Sequence, residues 1–364
     1  MRIGEITAYL EFLAPLASQE SYDNCGLLVG DRNSEVSSVL LCLDCTEEVV
    51  LEAERIGANL IVAHHPVIFK GLKSLTGKNY VERTILSCIK KNIALYAIHT
   101  NLDNYRKGVN YEIGQRLGMK NLRILSGKEN SLFKLVVFVP RLHHKALNQA
   151  LFDAGAGKIG NYDQCHFSLT GEGTFRPLDE SNPYSGMQNE LSIEEEVRAE
   201  YLVSSHHMSA VLSSMRATHP YEEIAHDIYT LKNENPYEGS GMIGDLSPVM
   251  TEAEFFAHVK KEFSCKIIRH TAFLGKPVRK VAFCGGSGSF LLKSAISEGA
   301  DVFLTADFKY HEFFDAENKL VIADMGHYES EQFTPNLLEA LLKKKFTTFA
   351  IHLTEINTNP INYF

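Results

Sequence analysis

The chain has 364 residues, long enough for about two domains of ordinary size. Its 45% hydrophobic and 22% charged residues are typical of a globular protein with a large core, and no apolar stretch approaches the roughly 18 residues of a membrane span. The net charge of −9 argues against a generally basic surface and therefore disfavours nucleic acid as a partner.

The cysteines and the N-terminus predict a cytoplasmic protein. The seven cysteines are odd in number, and several lie in apolar runs, as expected for reduced and buried thiols. The first residues lack the apolar core and cleavage site of a signal peptide. Cys42 and Cys45 form a CxxC, but it follows a predicted strand and has no second CxxC, which disfavours a redox or zinc-ribbon site.

The first third of the chain alternates between predicted helices and strands. An amphipathic helix is predicted over 1–20, followed by a turn-rich loop and a short strand. The next predicted elements are strand 36–43, helix 46–57, strand 59–63, helix 80–91 and strand 93–98. This order, with short connections, predicts a parallel sheet covered by helices.

The middle of the chain differs in texture, because it is rich in glycine and turns. Its predicted elements are strand 132–140, a helix from about 142, strands 164–169 and 194–202, helix 208–215 and strand 225–231. A repeated β-α-β pattern of this size predicts a small α+β, ferredoxin-like domain inserted at 128–234. We interpret 233–241 as the linker that returns to the main domain.

The last third resumes the α/β alternation. Its predicted elements are helix 252–263, strand 278–283, helix 290–298, strands 301–305 and 320–323, a helix to about 345 and strand 347–353. The sequence therefore predicts an α/β protein in which two similar α/β halves, 1–127 and 235–364, form one domain around the insert.

Residues that can bind metals follow the carboxyl ends of the predicted strands. In open α/β sheets the ligand crevice lies outside these ends, so residues from several strands can meet there. His64 and His65 could not share a target inside a regular strand, but they can converge where the chain turns at Pro66. A surface turn that holds two histidines is the alternative. The residues with this placement are Asp44, His64, His65, His99, Asp103, Asp307, His311, Asp324 and His327.

His327 and Glu331 provide a second signal, because side chains four residues apart lie on one face of a helix. A histidine at a helix start with a nearby acid is the alternative. Two histidines from one strand end, this His–Glu pair and an aspartate make five ligands, more than one zinc ion uses. Such a mixed set, with a carboxylate able to bridge, suits two ions about 3.5–4 Å apart.

The Gly285–Ser289 segment forms a turn between a predicted strand and a helix. Backbone N–H groups in such a turn can bind a phosphate. The segment is neither a Walker A motif nor GxGxxG, however, so a tight turn without a ligand is the favoured interpretation.

Several motifs resemble those of the GTP cyclohydrolase I type 2 homologues, the Ngg-interacting-factor-like dinuclear metal proteins. The similarity covers 1–125 and 240–364 almost end to end, with Tyr22 where the family pattern usually has tryptophan. The matching stretches are Asp23–Asp31, Ala63–Gly71, His99–Asp103, Thr305–His311 and Gly326–Glu331. Within the middle, Gly155–Tyr162, Gly171–Pro177 and the His219-Pro-Tyr-Glu-Glu stretch resemble a PII/CutA-type insert.

The resemblance implies two divalent ions per chain, zinc or iron. It also implies a toroidal homohexamer of dimers with the metal sites facing a cavity. By analogy to related domains, the insert is expected either to cap this cavity or to bind a small effector. The implied ligands are His64, His65, Asp103, His327 and Glu331.

The predicted metal site and the family resemblance are compatible with two functions. One is metal-dependent hydrolysis of a nucleotide-like substrate, with opening of the guanine ring of GTP as the reaction that the family name implies. In that case His99 or His311 would carry protons, and Lys309 with Gly285, Gly286 and Gly288 would hold phosphate. The alternative is a metal-dependent regulator or scaffold that binds a metabolite or a protein partner without turnover.

Overall fold

The computed structural model describes residues 1–364, which separate into two compact units. Unit 1 comprises Met1–Gly127 and Pro236–Phe364, and unit 2 comprises Lys128–Asn235. None of the helices has the length and apolar character needed to span a membrane.

Helices and strands alternate along most of the chain. The helices are α1 (Ile3–Leu13), α2 (Glu47–Ile56), α3 (Tyr80–Lys90), α4 (Thr100–Asp103), α5 (Val109–Arg116), α6 (His144–Asp153), α7 (Met208–Thr218), α8 (Glu252–Glu262), α9 (Leu292–Ser297), α10 (His327–Glu331) and α11 (Thr334–Lys345). The strands are β1 (Gly26–Val29), β2 (Val39–Cys42), β3 (Leu60–Ala63), β4 (Ala94–Ala97), β5 (Lys120–Lys128), β6 (Leu132–Pro140), β7 (His166–Phe175), β8 (Ser192–Ser204), β9 (His226–Thr230), β10 (Asn235–Thr251), β11 (Arg269–His270), β12 (Pro277–Ser287), β13 (Val302–Ala306), β14 (Val321–Asp324) and β15 (Ile351–Leu353).

The first sheet of unit 1 has the strand order β1-β4-β3-β2-β15. Its four strands β4, β3, β2 and β15 are parallel, as the sequence predicts, and β1 lies antiparallel at the edge. Local sequence sets the connections. The Thr46 side chain accepts a hydrogen bond from the N–H of Val49 at the start of α2, and Gly57 ends that helix with φ +74°.

The second sheet of unit 1 has the order β11-β14-β13-β12-β10-β5. Strands β12, β13 and β14 are parallel, β10 is antiparallel to β12, and β11 is antiparallel to β14. The predicted return linker at 233–241 contains the boundary between the units, but most of it is not a loop, because β10 begins at Asn235. Gly239 allows β10 to pack closely against β5, since a Cβ at this position would lie 2.2 Å from the carbonyl oxygen of Ser126.

The two sheets of unit 1 share one hydrophobic core. It contains Tyr96 from the first sheet and Phe283 from the second, both fully buried. Burial of side chains of this size stabilises the fold by about 1.5–3 kcal/mol each. The other face of each sheet has a separate cluster, formed with α2 and α3 for the first sheet and with α9 for the second. The α/β fold predicted from the sequence is thereby confirmed.

Unit 2 is a four-stranded antiparallel sheet with the order β7-β8-β6-β9 and two helices, α6 and α7. Alternate residues of β6, Leu135, Val137 and Val139, pack with Leu147 of α6 and Val211 of α7 in a core of its own. The period of two in β6 is that of a strand with one face covered by helices.

Candidate metal centre

His64 and His65 follow β3 and lie beside each other at its carboxyl end. Their backbone N–H groups continue the parallel pairing, donating to the carbonyls of Cys42 and Leu43 at 3.1 and 3.0 Å. The two ring centroids are 4.9 Å apart. The histidine pair therefore converges, as the turn at the end of the strand predicts.

Glu331, on α10, lies between the histidines. Its Oε2 is 3.0 Å from His65 Nε2 and 3.1 Å from His327 Nε2, and its Oε1 is 4.0 Å from His64 Nε2. Asp103, at the end of α4, completes the cluster, with Oδ1 at 3.6 Å from His64 Nε2. All five ligands implied by the family resemblance thus lie together in unit 1.

These side chains form three groups whose ligand atoms lie within 4.8 Å of one another and could hold a metal ion. Two of the groups contain Glu331. Its Oε2 faces His65 and His327 in one group, and its Oε1 faces His64 in the other. The groups are His65 with His327 and Glu331, His64 with Asp103 and Glu331, and His64 with His65 and His99.

The second ring nitrogen of each candidate histidine ligand has an acceptor partner. Nδ1 lies 2.8 Å from the Ile98 carbonyl in His64, 2.7 Å from Asp44 in His65 and 2.7 Å from Asp307 in His327. Such partners place a proton on Nδ1 and direct Nε2 towards the cluster. Asp44 and Asp307 were recognisable in the sequence as strand-end acids, but nothing in the sequence separated this role from that of a ligand.

Burial and neighbouring charges shift the pKa values of the three histidine ligands in different directions. Burial lowers the pKa of His64 to about 3, so this ring is neutral. Burial also opposes charge on His65 and His327, but hydrogen bonds to Asp44 and Glu331 raise the pKa of His65 to about 10, and those to Asp307 and Glu331 raise the pKa of His327 to about 11.

The pKa values of the two carboxyl ligands, Asp103 and Glu331, are shifted in opposite directions. Burial raises the pKa of Asp103 well above its usual range, and the nearby charge of Glu331 adds to the effect. Burial also raises that of Glu331, but hydrogen bonds from His327 and His65 outweigh it and hold the pKa of Glu331 well below its usual range. Without a cation, protons on His65 and His327 therefore balance the buried carboxylate.

The donor set fits a metal ion. His64 Nε2 and Asp103 Oδ1 are both buried and have no hydrogen-bond partner. A buried polar atom without a partner costs free energy, and a cation between these two atoms would remove that cost. Neutral imidazole and carboxylate are ligands of zinc and iron.

His99 lies beside the cluster and is held by Asp23. Its Nδ1 is 2.9 Å from Asp23 Oδ1, and its ring centroid is 5.2 Å from those of His64 and His65. The N–H and the hydroxyl of Thr100 donate to the other oxygen of Asp23. Sequence reasoning missed the role of Asp23, although it lies in the first family motif.

The glycine turn packs beneath Glu331. A Cβ at Gly286 would lie 2.4 Å from Glu331 Oε1. The N–H groups of Gly285 and Gly286 donate to Asn110 Oδ1 and Ser330 Oγ, each at 2.9 Å. These two N–H groups already have partners within the chain, and a Cβ at Gly288 would lie 2.4 Å from a threonine hydroxyl.

Lys309 and His311 lie on the surface, outside the three metal-capable groups. The backbone N–H of Lys309 donates to Glu312 at 2.9 Å. The ring of His311 contacts those of Tyr310 and Phe314. Asp324, another strand-end residue, pairs with an arginine and accepts from the N–H of Phe308, so it has a structural role.

An α/β unit with a histidine–carboxylate cluster at its strand ends defines a class of candidate metal-binding proteins. The chain belongs to the Duf34/NIF3 (NGG1p interacting factor 3) family, whose family model matches residues 1–360. It is 35% identical over 367 residues to a GTP cyclohydrolase 1 type 2 homolog from Staphylococcus epidermidis, with all of both chains covered. The homolog of the same name from Halalkalibacterium halodurans is 40% identical, with 94% of this chain and 93% of that protein covered.

Solved structures show the same relationship. The crystal structure of a Bacillus cereus protein related to NIF3 has a TM-score of 0.83 and 38% identity, and covers 100% of this chain and 99% of that one. The Staphylococcus aureus protein SA1388 has a TM-score of 0.79 and 30% identity over 100% and 99% of the two chains. The family resemblance stated from the motifs is confirmed.

Proposed function

We propose that the protein is a hydrolase that uses two divalent metal ions, zinc or iron, and acts on a nucleotide-like substrate. The observation that supports this proposal is the position of Glu331, whose two carboxylate oxygens face two different ligand groups. A carboxylate shared in this way is suited to bridge two ions. One ion would be held by His65, His327 and Glu331, and the other by His64, Asp103 and Glu331.

When bound, a pair of such ions lowers the pKa of a water molecule and polarises a carbonyl or phosphoryl oxygen. The chain's own residues would hold and surround that centre. Asp44, Asp307 and the Ile98 carbonyl would orient the three histidine ligands through the hydrogen bonds described above.

We assign proton transfer to His99. Its hydrogen bond to Asp23 through Nδ1 holds the ring beside the cluster, so that Nε2 is the nitrogen assigned to carry the proton. His311 is retained as an alternative proton carrier, although its observed ring contacts are to Tyr310 and Phe314 rather than to the ligands.

The proposed substrate class rests on the names of the relatives, which are GTP cyclohydrolase 1 type 2 homologs. We propose that Lys309 and the Gly285, Gly286 and Gly288 turn contact its phosphates, although the N–H groups of Gly285 and Gly286 donate to Asn110 and Ser330 in this structure. Lys309 would contribute charge from the surface. We further propose that the protein assembles as a homohexamer of dimers and that unit 2, as a PII/CutA-like domain, binds an effector. Unit 2 has a groove of about 260 Å³ that includes Glu196 and Arg198, where a small effector could bind.

Elemental analysis of protein purified without chelators tests the metal centre. We expect close to two equivalents in the wild type and almost none in His64→Ala/His65→Ala. Glu331→Gln should lower the affinity for both ions, whereas His327→Ala should lower it for one. A single equivalent that survives the double substitution would reject the dinuclear centre.

Turnover of a nucleotide panel by metal-loaded protein tests the activity, with His64→Ala/His65→Ala as the control. Metal-dependent product from GTP would support ring opening, and product from another nucleotide would change the substrate within the same class. Absence of turnover, together with saturable binding of a ligand or protein, would replace the hydrolase with a metal-dependent regulator. Light scattering on the same sample should give six times the chain mass of 40.8 kDa if the protein is a hexamer.

A further inference from the structure

The final segment of the chain, residues 354–364, crosses unit 1 near the metal ligands. The buried Glu52 accepts hydrogen bonds from the hydroxyl of Thr354 and, at 2.9 Å, from the N–H of Glu355. The side chain of Ile356 packs against the cluster on the outer face of the first sheet. These contacts fix the path of the segment without involving the metal ligands.

Thr358 connects this segment to the candidate metal centre. Its hydroxyl donates to Asp44 Oδ2 at 2.8 Å, and the other oxygen, Asp44 Oδ1, lies 2.7 Å from His65 Nδ1. Both oxygens of one carboxylate are thus held, one by the segment and one by the histidine. His65 Nε2 then faces Glu331 at 3.0 Å.

We propose that Thr358 is a positioning residue for the metal ligand His65, acting through Asp44. The terminal torsion of an aspartate has broad preferences, so a carboxylate held on one side only can rotate. About a third of the Asp44 side chain is exposed, so water could compete for it. The hydroxyl of Thr358 removes that freedom and keeps the proton of His65 on Nδ1. The inference rests on the proposed metal function.

Thr358→Val tests the contact, because valine keeps the shape and lacks the hydroxyl. A Zn²⁺ titration in competition with a chromophoric chelator should show roughly 3- to 10-fold weaker binding of one ion, the effect of one lost hydrogen bond. The other ion, held through His64 and Asp103, should keep its affinity. Thr358→Ser, which restores a hydroxyl, should return the affinity to near the wild-type value.

Thr354→Val is the matched control, since it removes the other threonine hydroxyl that anchors the same segment but does not reach Asp44. We expect it to lower the thermal midpoint of the metal-free protein and to leave both Zn²⁺ affinities unchanged. An equal loss of affinity in Thr354→Val and Thr358→Val would overturn the inference, because general docking of the segment would then explain it.

A double-mutant cycle separates the route through Asp44 from any other. Thr358→Val should have no further effect on Zn²⁺ affinity in an Asp44→Ala background. Additive losses, or wild-type affinity in Thr358→Val alone, would overturn the inference and leave the metal centre intact. A wild-type protein that binds no Zn²⁺ would overturn the proposed function and this inference together.

Discussion

Each candidate histidine ligand has one nitrogen facing the cluster and the other fixed by a hydrogen-bond acceptor, either a carbonyl or a carboxylate. His64 is oriented by the Ile98 carbonyl, whereas His65 and His327 are oriented by carboxylates. A carbonyl cannot neutralise a charged ring, and this agrees with the neutral state of His64. The carboxylates let the other two rings carry protons until a cation displaces them, so metal binding should release protons.

Asp23 provides a pH-dependent prediction at the same scale. Burial raises the pKa of its carboxyl, but hydrogen bonds from His99, Thr100 and Cys25 outweigh it and hold that pKa below its usual range. The stabilisation is therefore complete above the unfolded pKa of about 3.9 and is lost as pH falls through the folded value. Asp23→Asn should lower the free energy of unfolding by about 1–3 kcal/mol at neutral pH.

Urea unfolding of metal-free protein at pH 7 and at about pH 3.5 measures this difference. The gap between wild type and Asp23→Asn should shrink at the lower pH. Asp315→Asn, an exposed residue, is the control and should have little effect at either pH. A gap that stays constant or widens on acidification would contradict the role given to the charged carboxylate.

At the scale of secondary-structure elements, strand ends were the most informative feature of the sequence. The parallel strands near the ligands could be predicted because short apolar runs alternate with helix patterns, as in β3 and β4. His64, His65 and His99 follow those strands, so their meeting at one edge could be predicted too. The packing of two separate sheets around one core could not, because periodicity identifies a buried face without its partner.

Strand β10 shows why other elements were missed. Its first part is rich in glycine, asparagine and proline, and this composition is typical of a loop. The structure places Gly239 against β5, where only a glycine fits. Close backbone approach and a flexible linker favour the same residue type, so the sequence could not distinguish them.

The glycine turn at the end of β12 allows a prediction about how an element shapes the site. Gly286 has φ +60°, and a Cβ there would lie 2.4 Å from Glu331 Oε1. Gly286→Ala should cost about 1–2 kcal/mol for the left-handed backbone alone and should also displace the carboxylate. We expect lower stability in urea and fewer than two metal equivalents by elemental analysis.

Gly299→Ala is the matched control for that experiment. Gly299 has φ +68°, and no atom lies within 4 Å of the position of its Cβ. It should show the backbone cost and keep full metal content. If both variants kept two equivalents, the turn would not support Glu331.

At the scale of the whole molecule, the two units have separate cores, and the five candidate ligands all belong to unit 1. All the residues to which the proposed chemistry is assigned therefore lie in unit 1. Matches to the relatives from Staphylococcus epidermidis and Bacillus cereus extend over both units. Unit 2 is thus a shared part of those proteins.

Deletion of the insert tests whether unit 1 is complete in itself. Gly127 contacts β10 four residues beyond the second crossing point at Asn235, because a Cβ at Gly239 would lie 2.8 Å from the Cα of Gly127. A glycine linker of about five residues in place of 128–234 is long enough to join Gly127 to Asn235, since an extended chain spans roughly 3.3–3.6 Å per residue. We expect a soluble protein with the metal content of the full chain and a thermal midpoint within roughly 5 °C of that of the full chain.

The control is His64→Ala/His65→Ala in the same shortened chain, because this double substitution should remove the metal. Aggregation of the shortened chain would instead mean that the insert contributes to the core or to the assembly interface.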